Sequence, residues 1–500
     1  MDLRDYQNGA IDKLRASLGA GKRRPVIQAP TGSGKTVIAA ALVRMAREKG
    51  KNVIFTVPAI SLIDQTVERF AQNGILSVGV MQGAHELTDI DQPVQVCSVQ
   101  TLARRKIPQA DLVIVDECHV RFKLYDEWMN NPAWASVPFV GLTATPWAKG
   151  MGAAGRWDDL IVATTTDELI KNGSLSDFKV FAPSHPDLSN VKTVAGDYDL
   201  NGLSSVMDSS ALVADVVLTW LQRGQGFQTI CFAVSRVHAK HISDQFVAAG
   251  VGSEYMDAFT DNSERREIFE RFKTGQTKII CNVGVLTTGF DADVRCIILA
   301  RPTKSEILYT QMIGRGLRTA EGKDHCLVLD HSDTTLRLGF VTDIKHDKLD
   351  DGRASVSEKK KPERLPKECS VCSFVKPIGA KKCPSCGFEP TVTSSVEVED
   401  GELYEITRGK KQKIEEHGIK AKRQFYSEVA LYASLRGYKE GWAYWAYKDK
   451  FKESPDRYIV FHSEKNPVQM ISPQTEAWIR HRNIRKAMAK KKTQQAGQRA

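Results

Sequence analysis

The sequence predicts an α/β protein with two doubly wound domains, followed by a small four-cysteine module and a basic, helical C-terminal region. Two observations predict the α/β part. Short apolar runs alternate with amphipathic stretches along the chain, and this alternation occurs in two successive series. Buried parallel strands linked by helices give this pattern. The length of 500 residues also agrees with about three domains.

The predicted strands and boundaries follow from these series and from changes in composition. The apolar runs of the first series are residues 52–57, 94–98, 112–115 and 139–142, and those of the second are 229–233, 278–282, 296–300 and 326–329. The predicted divisions are a first domain (1–165), a second domain (166–342), a charged linker (343–366), a Cys₄ module (367–390), a second linker (391–407), a helical module (408–481) and a disordered basic tail (482–500).

The positive charge of the chain is concentrated near its C-terminus. The whole chain has 70 basic residues (Lys and Arg) and 60 acidic residues (Asp and Glu). Residues 401–500 contain 22 basic and 11 acidic residues, which leaves 48 basic and 49 acidic residues in 1–400. A solvated tail and a surface for a polyanion such as nucleic acid are both consistent with this excess.

Apolar content and cysteine spacing predict the cellular compartment. No run of about 18 apolar residues occurs, so no membrane span is expected. The N-terminus lacks a basic-then-apolar signal, which favours a cytoplasmic, reducing location. Six cysteines stand singly and are expected to be buried thiols: Cys97, Cys118, Cys231, Cys281, Cys296 and Cys326.

Residues 26–43, VIQAPTGSGKTVIAAALV, have the pattern of a phosphate-binding loop between a strand and a helix. Its glycines let backbone N–H groups point at phosphates. The lysine would reach the β- and γ-phosphates of ATP, and the threonine after it would bind Mg²⁺. The strict pattern has glycine where Ala29 stands, so the loop is a variant. The predicted ligands are Thr31, Gly32, Ser33, Gly34, Lys35 and Thr36.

Two adjacent carboxylates follow the apolar run at 112–115, in the sequence LVIVDECH. Asp116 would hold Mg²⁺, and Glu117 would polarise the attacking water. Alone, such a pair could equally cap the next helix. Together with the phosphate-binding loop, it indicates ATP hydrolysis.

With these two motifs the chain resembles the superfamily 2 helicases and translocases of the DEAD/DEAH (DECH) type, which implies two tandem RecA-like domains. LRDYQ (3–7) resembles the adenine-reading motif, in which Gln7 would contact the base and Arg4 would support it. TVPAISLIDQ (56–65) and SVQTLARR (98–105) resemble motifs that touch the nucleic-acid backbone, and GLTATP (141–146) resembles the motif that links the two sites. The resemblance implies nucleic-acid contacts by Thr101, Thr143 and Thr145.

The second α/β series continues the resemblance. TICFAVSRVHAKHI (229–242), NVGVLTTGFDAD (282–293) and QMIGRGLR (311–318) resemble motifs IV, V and VI. On a helix, Gln311, Arg315 and Arg318 would share one face, since they are four and three residues apart. The resemblance implies that Arg318 is the arginine finger, that Arg315 is a second phosphate ligand and that Gln311 couples to His119. It also implies nucleotide contacts by Gly289 and Asp291 and a nucleic-acid contact by Thr287.

Four cysteines within eighteen residues have the spacing of a zinc site. They form two C-x₂-C pairs separated by ten residues, and each pair is followed by phenylalanine two positions on, in CSVCSF and CPSCGF. Four thiolates leave no open position on the metal, so the site is expected to be structural. The predicted Zn²⁺ ligands are Cys369, Cys372, Cys383 and Cys386.

The order of motor, charged linker and zinc pairs resembles the RadD-like DNA-repair helicases of bacteria and phages, which implies DNA as the partner, single-stranded or branched. A separate protein partner could bind the zinc or C-terminal module. The segment 422–451 differs from that family and is amphipathic and aromatic. Its rings could stack on bases, but the core of a small helical bundle is the favoured interpretation.

Three further functions remain open at the level of sequence. The chain could be the motor subunit of a type III-like restriction system, although it has no convincing nuclease signature. It could be a DNA-binding or annealing platform that ATP switches without strand separation. It could also act on RNA, because motor motifs contact mainly the backbone.

Overall fold

The computed structural model describes most of the chain. The described residues are 3–83, 85–194, 196–286, 292–353, 365–389, 419–439, 441–457, 459–460, 465, 468–473, 475–476, 478–480 and 482–483. The chain divides into two compact units, Met1–Thr393 and Ser394–Ala500.

The first domain is built on a parallel sheet of seven strands in the order β3-β4-β2-β5-β6-β1-β7. Adjacent residues of β1 pack into different hydrophobic clusters, Ile27 on one face and Val26 on the other. Both faces are therefore covered, as parallel sheets require. The strands are β1 (Pro25–Gln28), β2 (Val53–Val57), β3 (Val78–Met81), β4 (Val94–Ser98), β5 (Leu112–Asp116), β6 (Phe139–Thr143) and β7 (Asp159–Val162).

The helices of this domain connect the strands. They are α1 (Asp5–Gly19), α2 (Lys35–Glu48), α3 (Ile63–Gln72), α4 (Val99–Leu102) and α5 (Lys123–Met129), with 3₁₀ turns at Ile60–Leu62 and Pro132–Trp134. Helix α6 (Thr166–Lys171) follows β7 and packs into the core of the second domain through Leu169. Helix α2 begins at Lys35, directly after the phosphate-binding loop. The loop therefore lies at the carboxyl edge of the sheet, where ligands bind in open α/β folds.

The second domain has a parallel sheet of six strands in the order β12-β13-β11-β14-β15-β8. Its strands are β8 (Asp177–Phe181), β11 (Thr229–Ala233), β12 (Ser253–Met256), β13 (Ile279–Asn282), β14 (Cys296–Ala300) and β15 (His325–Asp330). Its helices are α7 (Leu200–Met207), α8 (Ser210–Arg223), α9 (Arg236–Ala248), α10 (Asn262–Lys273), α11 (Glu306–Gly314) and α12 (Thr334–Leu338). The prediction of two doubly wound domains is confirmed.

The second domain also contains a two-stranded hairpin. The hairpin consists of β9 (Thr193–Val194) and β10 (Asp197–Tyr198) and precedes α7. The Asp197 carboxylate holds it in place by accepting a hydrogen bond from the Thr303 hydroxyl at 2.6 Å.

Residues 343–353, which were predicted to be part of a linker, pack against the first domain. There the Asp350 carboxylate accepts the N–H of Gly150 at 2.7 Å. Residues 354–364 lie outside the described part.

The cysteine module is attached to the edge of the second sheet. Its strands β16 (Lys367–Glu368) and β17 (Val375–Lys376) pair antiparallel. The backbone N–H of Ala182, just after β8, donates to the carbonyl of Ser373 at 2.9 Å. The ring of Phe374 meets that of Phe181 edge-on, with centroids 5.4 Å apart. The module is therefore packed against the second domain.

The C-terminal unit contains α13 (Ile419–Leu435) and α14 (Trp442–Phe451). Tyr447 is fully buried in its core, as the bundle interpretation predicted. Arg482 was predicted to open a disordered tail, and that prediction is wrong. Its side chain is buried and pairs with Asp449 at 2.6 Å, so the ordered unit extends past it. The second linker and the rest of the tail lie outside the described residues.

Within the described residues, no single helix is both long and apolar enough to cross a membrane. Helices α7 and α8 meet that criterion only as a pair, across a 69° bend.

Candidate active site

The phosphate-binding loop is fixed by two glycines in the left-handed region. Gly32 and Gly34 have φ of 85° and 83°, which side chains rarely adopt. A Cβ on Gly32 would lie 2.8 Å from Leu175 Cδ2, and one on Gly34 would lie 2.7 Å from Gln7 Nε2. The backbone conformation of the loop therefore requires glycine at both positions, and a larger residue would also have to displace the ends of the Leu175 and Gln7 side chains.

The lysine and the carboxylates predicted to act on ATP meet at the mouth of this loop. Lys35 Nζ lies 3.5 Å from Glu117 Oε1. Burial and the charge of Glu117 raise the pKa of Asp116. Burial also acts to raise the pKa of Glu117, but the charges of Lys35, His119 and Arg315 outweigh it and hold that pKa below its ordinary value. Glu117 is thus kept ionised, as a group that polarises water must be.

A chain of hydrogen bonds crosses the cleft between the domains. His119 Nδ1 lies 2.8 Å from the Thr143 hydroxyl, and His119 Nε2 lies 3.2 Å from Gln311 Nε2. Burial lowers the pKa of His119, so the ring is neutral near pH 7. Nδ1 then donates to Thr143, and Nε2 accepts from the Gln311 amide. The structure brings Gln311 and His119 together.

The two arginines of the second domain also face the loop, though by a route different from the one predicted. Helix α11 ends at Gly314, and Arg315 is its C-terminal cap, so the prediction that Arg318 stands on the helix is wrong. A Cβ on Gly314 would lie 2.9 Å from Thr31 Cβ. This glycine lets the end of α11 approach the loop, and the turn after it carries Arg318 to the cleft.

These groups surround one cavity of about 360 Å³. Its walls come from both domains. Leu62 and Gln65 belong to the segment 56–65, which was predicted to touch nucleic acid, yet both line this cavity. The amphipathic spacing of α3 was the available signal. The lining residues are Arg4, Thr31, Gly32, Gly34, Lys35, Thr36, Leu62, Gln65, Thr66, Arg69, Asp116, Glu117, Ser174, Leu175, Arg315, Arg318 and Thr319.

The predicted adenine-reading residues are held beside the loop. Gln7 is buried; its Nε2 donates to the Ser33 carbonyl at 3.0 Å, and its Oε1 accepts the N–H of Arg4 at 3.0 Å. The Tyr6 hydroxyl donates to the same carbonyl at 2.7 Å. Arg4 lines the cavity. The base contact by Gln7 stays a prediction.

Two residues predicted to touch nucleic acid are buried, and their contacts stay predictions. Thr143 and Thr145 are fully buried, and the hydroxyl of Thr143 serves the His119 contact instead. Thr101 is partly exposed at the start of α4, where its hydroxyl lies 2.9 Å from that of Ser98. In the second domain, the predicted nucleic-acid contact Thr287 and the predicted nucleotide contacts Gly289 and Asp291 lie outside the described residues.

The donor set fits a hydrated divalent cation. Thr36 and Asp116 line the same cavity, and Glu117 Oε2 is buried without a hydrogen-bond partner among the described atoms. Hydroxyl and carboxylate oxygens beside a phosphate site are the ligands that Mg²⁺ takes.

The four clustered cysteines form a site of tetrahedral dimensions. The sulfurs of Cys369 and Cys386 are 3.7 Å apart, as are those of Cys372 and Cys383. All four lie within 4.8 Å of one another. Zn–S bonds of about 2.3 Å in a tetrahedron require sulfurs about 3.8 Å apart. The six single cysteines are buried and free, as predicted.

Comparisons with known proteins agree with this geometry. A phosphate-binding loop in one RecA-like domain, facing arginines from a second, defines an ATP-hydrolysing motor. The family model for the type III restriction enzyme res subunit matches residues 1–148, and that for the helicase conserved C-terminal domain matches residues 211–320. Both α/β domains therefore match domains of helicases and restriction-enzyme motors, and these matches support a resemblance to the superfamily 2 helicases of the DEAD/DEAH type.

Similar proteins are helicases from yeast and phage. The chain is 31% identical over 351 residues to IRC3 of Saccharomyces cerevisiae, which is named a putative ATP-dependent helicase. The match covers 66% of this chain and 51% of that protein. It is 24% identical over 350 residues to the ATP-dependent DNA helicase uvsW of Enterobacteria phage T4, covering 66% and 68%. A fragment of an HsdR subunit of a type I restriction enzyme from Vibrio vulnificus shares the fold, with a TM-score of 0.52, 21% identity and coverage of 70% and 69%. The chain thus spans about half of the length of IRC3.

Proposed function

We propose that the protein is an ATP-dependent DNA helicase or translocase. One observation carries the proposal: Lys35 and Glu117 of the first domain share a cavity with Arg315 and Arg318 of the second. Because the groups needed for hydrolysis are divided between two domains, ATP can hold the domains together and hydrolysis can release them. A strand gripped by both domains would then be moved stepwise.

The residues have distinct proposed roles. The loop N–H groups and Lys35 bind the phosphates, while Thr36 and Asp116 would hold Mg²⁺, which neutralises phosphate charge when bound. Glu117 orients and polarises the water. Arg318 stabilises the charge of the transferred phosphoryl group, and Arg315 is a second ligand.

The contact between His119 and Gln311 gives the two domains a means of communication. It joins the Glu117 segment and Thr143 to α11, which ends at the arginines. A structural change at the γ-phosphate can therefore be transmitted to the end of β6 and, across the cleft, to the second domain. The Cys₄ module is proposed to hold structural Zn²⁺, because four sulfurs already lie at tetrahedral separations.

The partner and cellular role rest on similarity. The T4 relative is named a DNA helicase, which supports DNA as the partner here. The RadD-like resemblance supports single-stranded or branched DNA, a role in repair, recombination or phage replication, and a cytoplasmic location. A motor subunit of a restriction system is the second candidate, because the HsdR fragment shares the fold.

ATP turnover with different nucleic acids tests the proposal. We expect single-stranded, duplex or forked DNA to stimulate hydrolysis by the full chain, with Lys35→Ala as the inactive control. Stimulation by RNA alone would overturn the DNA assignment. Turnover unchanged by every nucleic acid would overturn the motor.

A further inference from the structure

The aromatic segment of the C-terminal unit has a buried side and an exposed side. Tyr447 and Phe425 belong to the core, with 0% and 4% of their surface exposed. Trp445 and Tyr438 are instead 56% and 43% exposed. The bundle interpretation therefore accounts for most of the rings in this segment but leaves Tyr438 and Trp445 facing the solvent.

Both exposed rings lie next to Trp442. Tyr438 stacks on Trp442, with ring centroids 4.9 Å apart and planes 7° apart. Trp445 lies three residues after Trp442 on α14, so the two side chains are neighbours on the helix surface. Tyr444 meets the edge of Trp445 rather than covering its face, with planes 85° apart.

Two cations lie over aromatic rings of this segment. Lys448 Nζ lies 5.2 Å from the centre of the Trp445 ring, and Arg436 Cζ lies 5.6 Å from that of Tyr432. Within the described part of the chain, no carboxylate lies within 4.0 Å of either cation. Elsewhere in this unit, Lys422 pairs with Glu453 at 2.7 Å. The cations beside the exposed rings are therefore available to an anionic partner.

We propose that this aromatic-basic face, made of Arg436, Tyr438, Lys439, Trp445 and Lys448, binds single-stranded DNA. Bases would stack on the open rings, and phosphates would pair with the three cations. The charge fits a polyanion, because residues 435–448 contain these three basic residues and a single acidic one. Stacking favours a single strand over a duplex, since paired bases offer no free faces.

The face lies outside the motor domains, so it is a second contact with the substrate of the proposed function. That inference rests on the proposed DNA partner but not on ATP hydrolysis. A strand held here would stay attached while the motor domains open, which raises its effective concentration at the motor.

Binding of a fluorescent oligothymidine by the full chain, without nucleotide, tests the proposal. Trp445→Ala should weaken affinity about tenfold, because each stacked base contributes roughly that factor. Trp445→Phe should restore most of it, since stacking needs a ring. Lys448→Ala should lower the salt dependence of log Kd by about one.

The matched control is Lys422→Ala, which removes the same charge from a paired lysine and should leave the salt dependence nearly unchanged. The basal ATP turnover of every variant should equal that of the parent, which separates this face from the motor. Equal loss of affinity in Lys422→Ala and Lys448→Ala would overturn the proposal, as would unchanged affinity in both Trp445→Ala and Tyr438→Ala. Oligouridine in place of oligothymidine shows whether the face distinguishes RNA.

Discussion

The two α/β domains share a fold but differ in what they contribute to the cleft. The first presents a phosphate-binding loop whose conformation is fixed by Gly32 and Gly34. The second presents arginines on a turn after α11 and has no part in that loop. In the proposed function, the first domain holds the nucleotide and the second senses it. This difference predicts that mutations can affect ATP binding and ATP hydrolysis separately.

The largest expected effect separates binding from turnover. Arg318→Ala should slow hydrolysis by about 10³- to 10⁵-fold, because an arginine finger stabilises charge that develops only in the transition state. ATP affinity should change little. Lys35→Ala should instead abolish binding, since its ammonium contacts the bound phosphates. Titration with a fluorescent ATP analogue and single-turnover hydrolysis measure the two quantities.

Arg318→Lys is the matched variant for this comparison. It keeps the charge but loses the planar fork of donors, so it should recover only part of the rate. Near-normal turnover in Arg318→Ala would show that the second domain does not complete the site.

The sequence predicts the strands of both domains well and the details of the cleft less well. The predicted run at 296–300 coincides with β14, and the run at 229–233 coincides with β11. Apolar runs suffice there, because strands buried on both faces leave a continuous hydrophobic signal. The four edge strands, β3, β7, β8 and β12, were missed. In β8, for example, only the last two residues are buried.

Site residues within motifs were found, whereas those set by packing were not. Asp116, Glu117 and Arg318 follow from motif order, and the structure places all three in one cavity. The end of α11 at Gly314 depends on the approach to Thr31, a contact 283 positions away in sequence. No local pattern records such a contact. For Leu62 and Gln65, the amphipathic spacing of α3 indicates that one face is buried but not that this face borders the nucleotide cavity.

The second expected effect concerns the two cysteine pairs, which share the sequence C-x₂-C-x-F. Phe374 packs against Phe181 of the second domain, but Phe388 is 37% exposed. Phe374→Ala should destabilise the second domain by about 2 kcal/mol. Phe388→Ala should change stability by less than about 0.5 kcal/mol. Thermal unfolding of both variants, with zinc release to a chromophoric chelator, checks this.

Zinc removal sharpens the same comparison. If the first cysteine pair fastens the module to β8, chelation should lower the unfolding temperature of the parent protein and have a smaller effect on Phe374→Ala. Equal destabilisation by the two phenylalanine variants would mean that docking through Phe374 is unimportant.

The third expected effect is a loss of stability in acid, concentrated in the second domain. Burial lowers the pKa of His331 to about 3 and that of His238 to about 4. A histidine whose folded pKa lies below its unfolded value of about 6.5 contributes full stability above that value and loses it as the pH falls. At pH 5 each should cost about 2 kcal/mol.

Hydrogen exchange, corrected for intrinsic rates, should therefore show β11 and β14 losing protection between pH 7 and pH 5 more than β2 and β5 do. Burial also lowers the pKa of His119, so the first domain should respond in the same direction with a single histidine. His331→Asn can still pair with Ser184, which lies 2.8 Å from His331 Nδ1. The His331→Asn variant should therefore show about half of the parent's loss of protection in the second domain between pH 7 and pH 5, because His238 remains. An equal loss in both domains of the parent would show that these buried imidazoles do not set the difference.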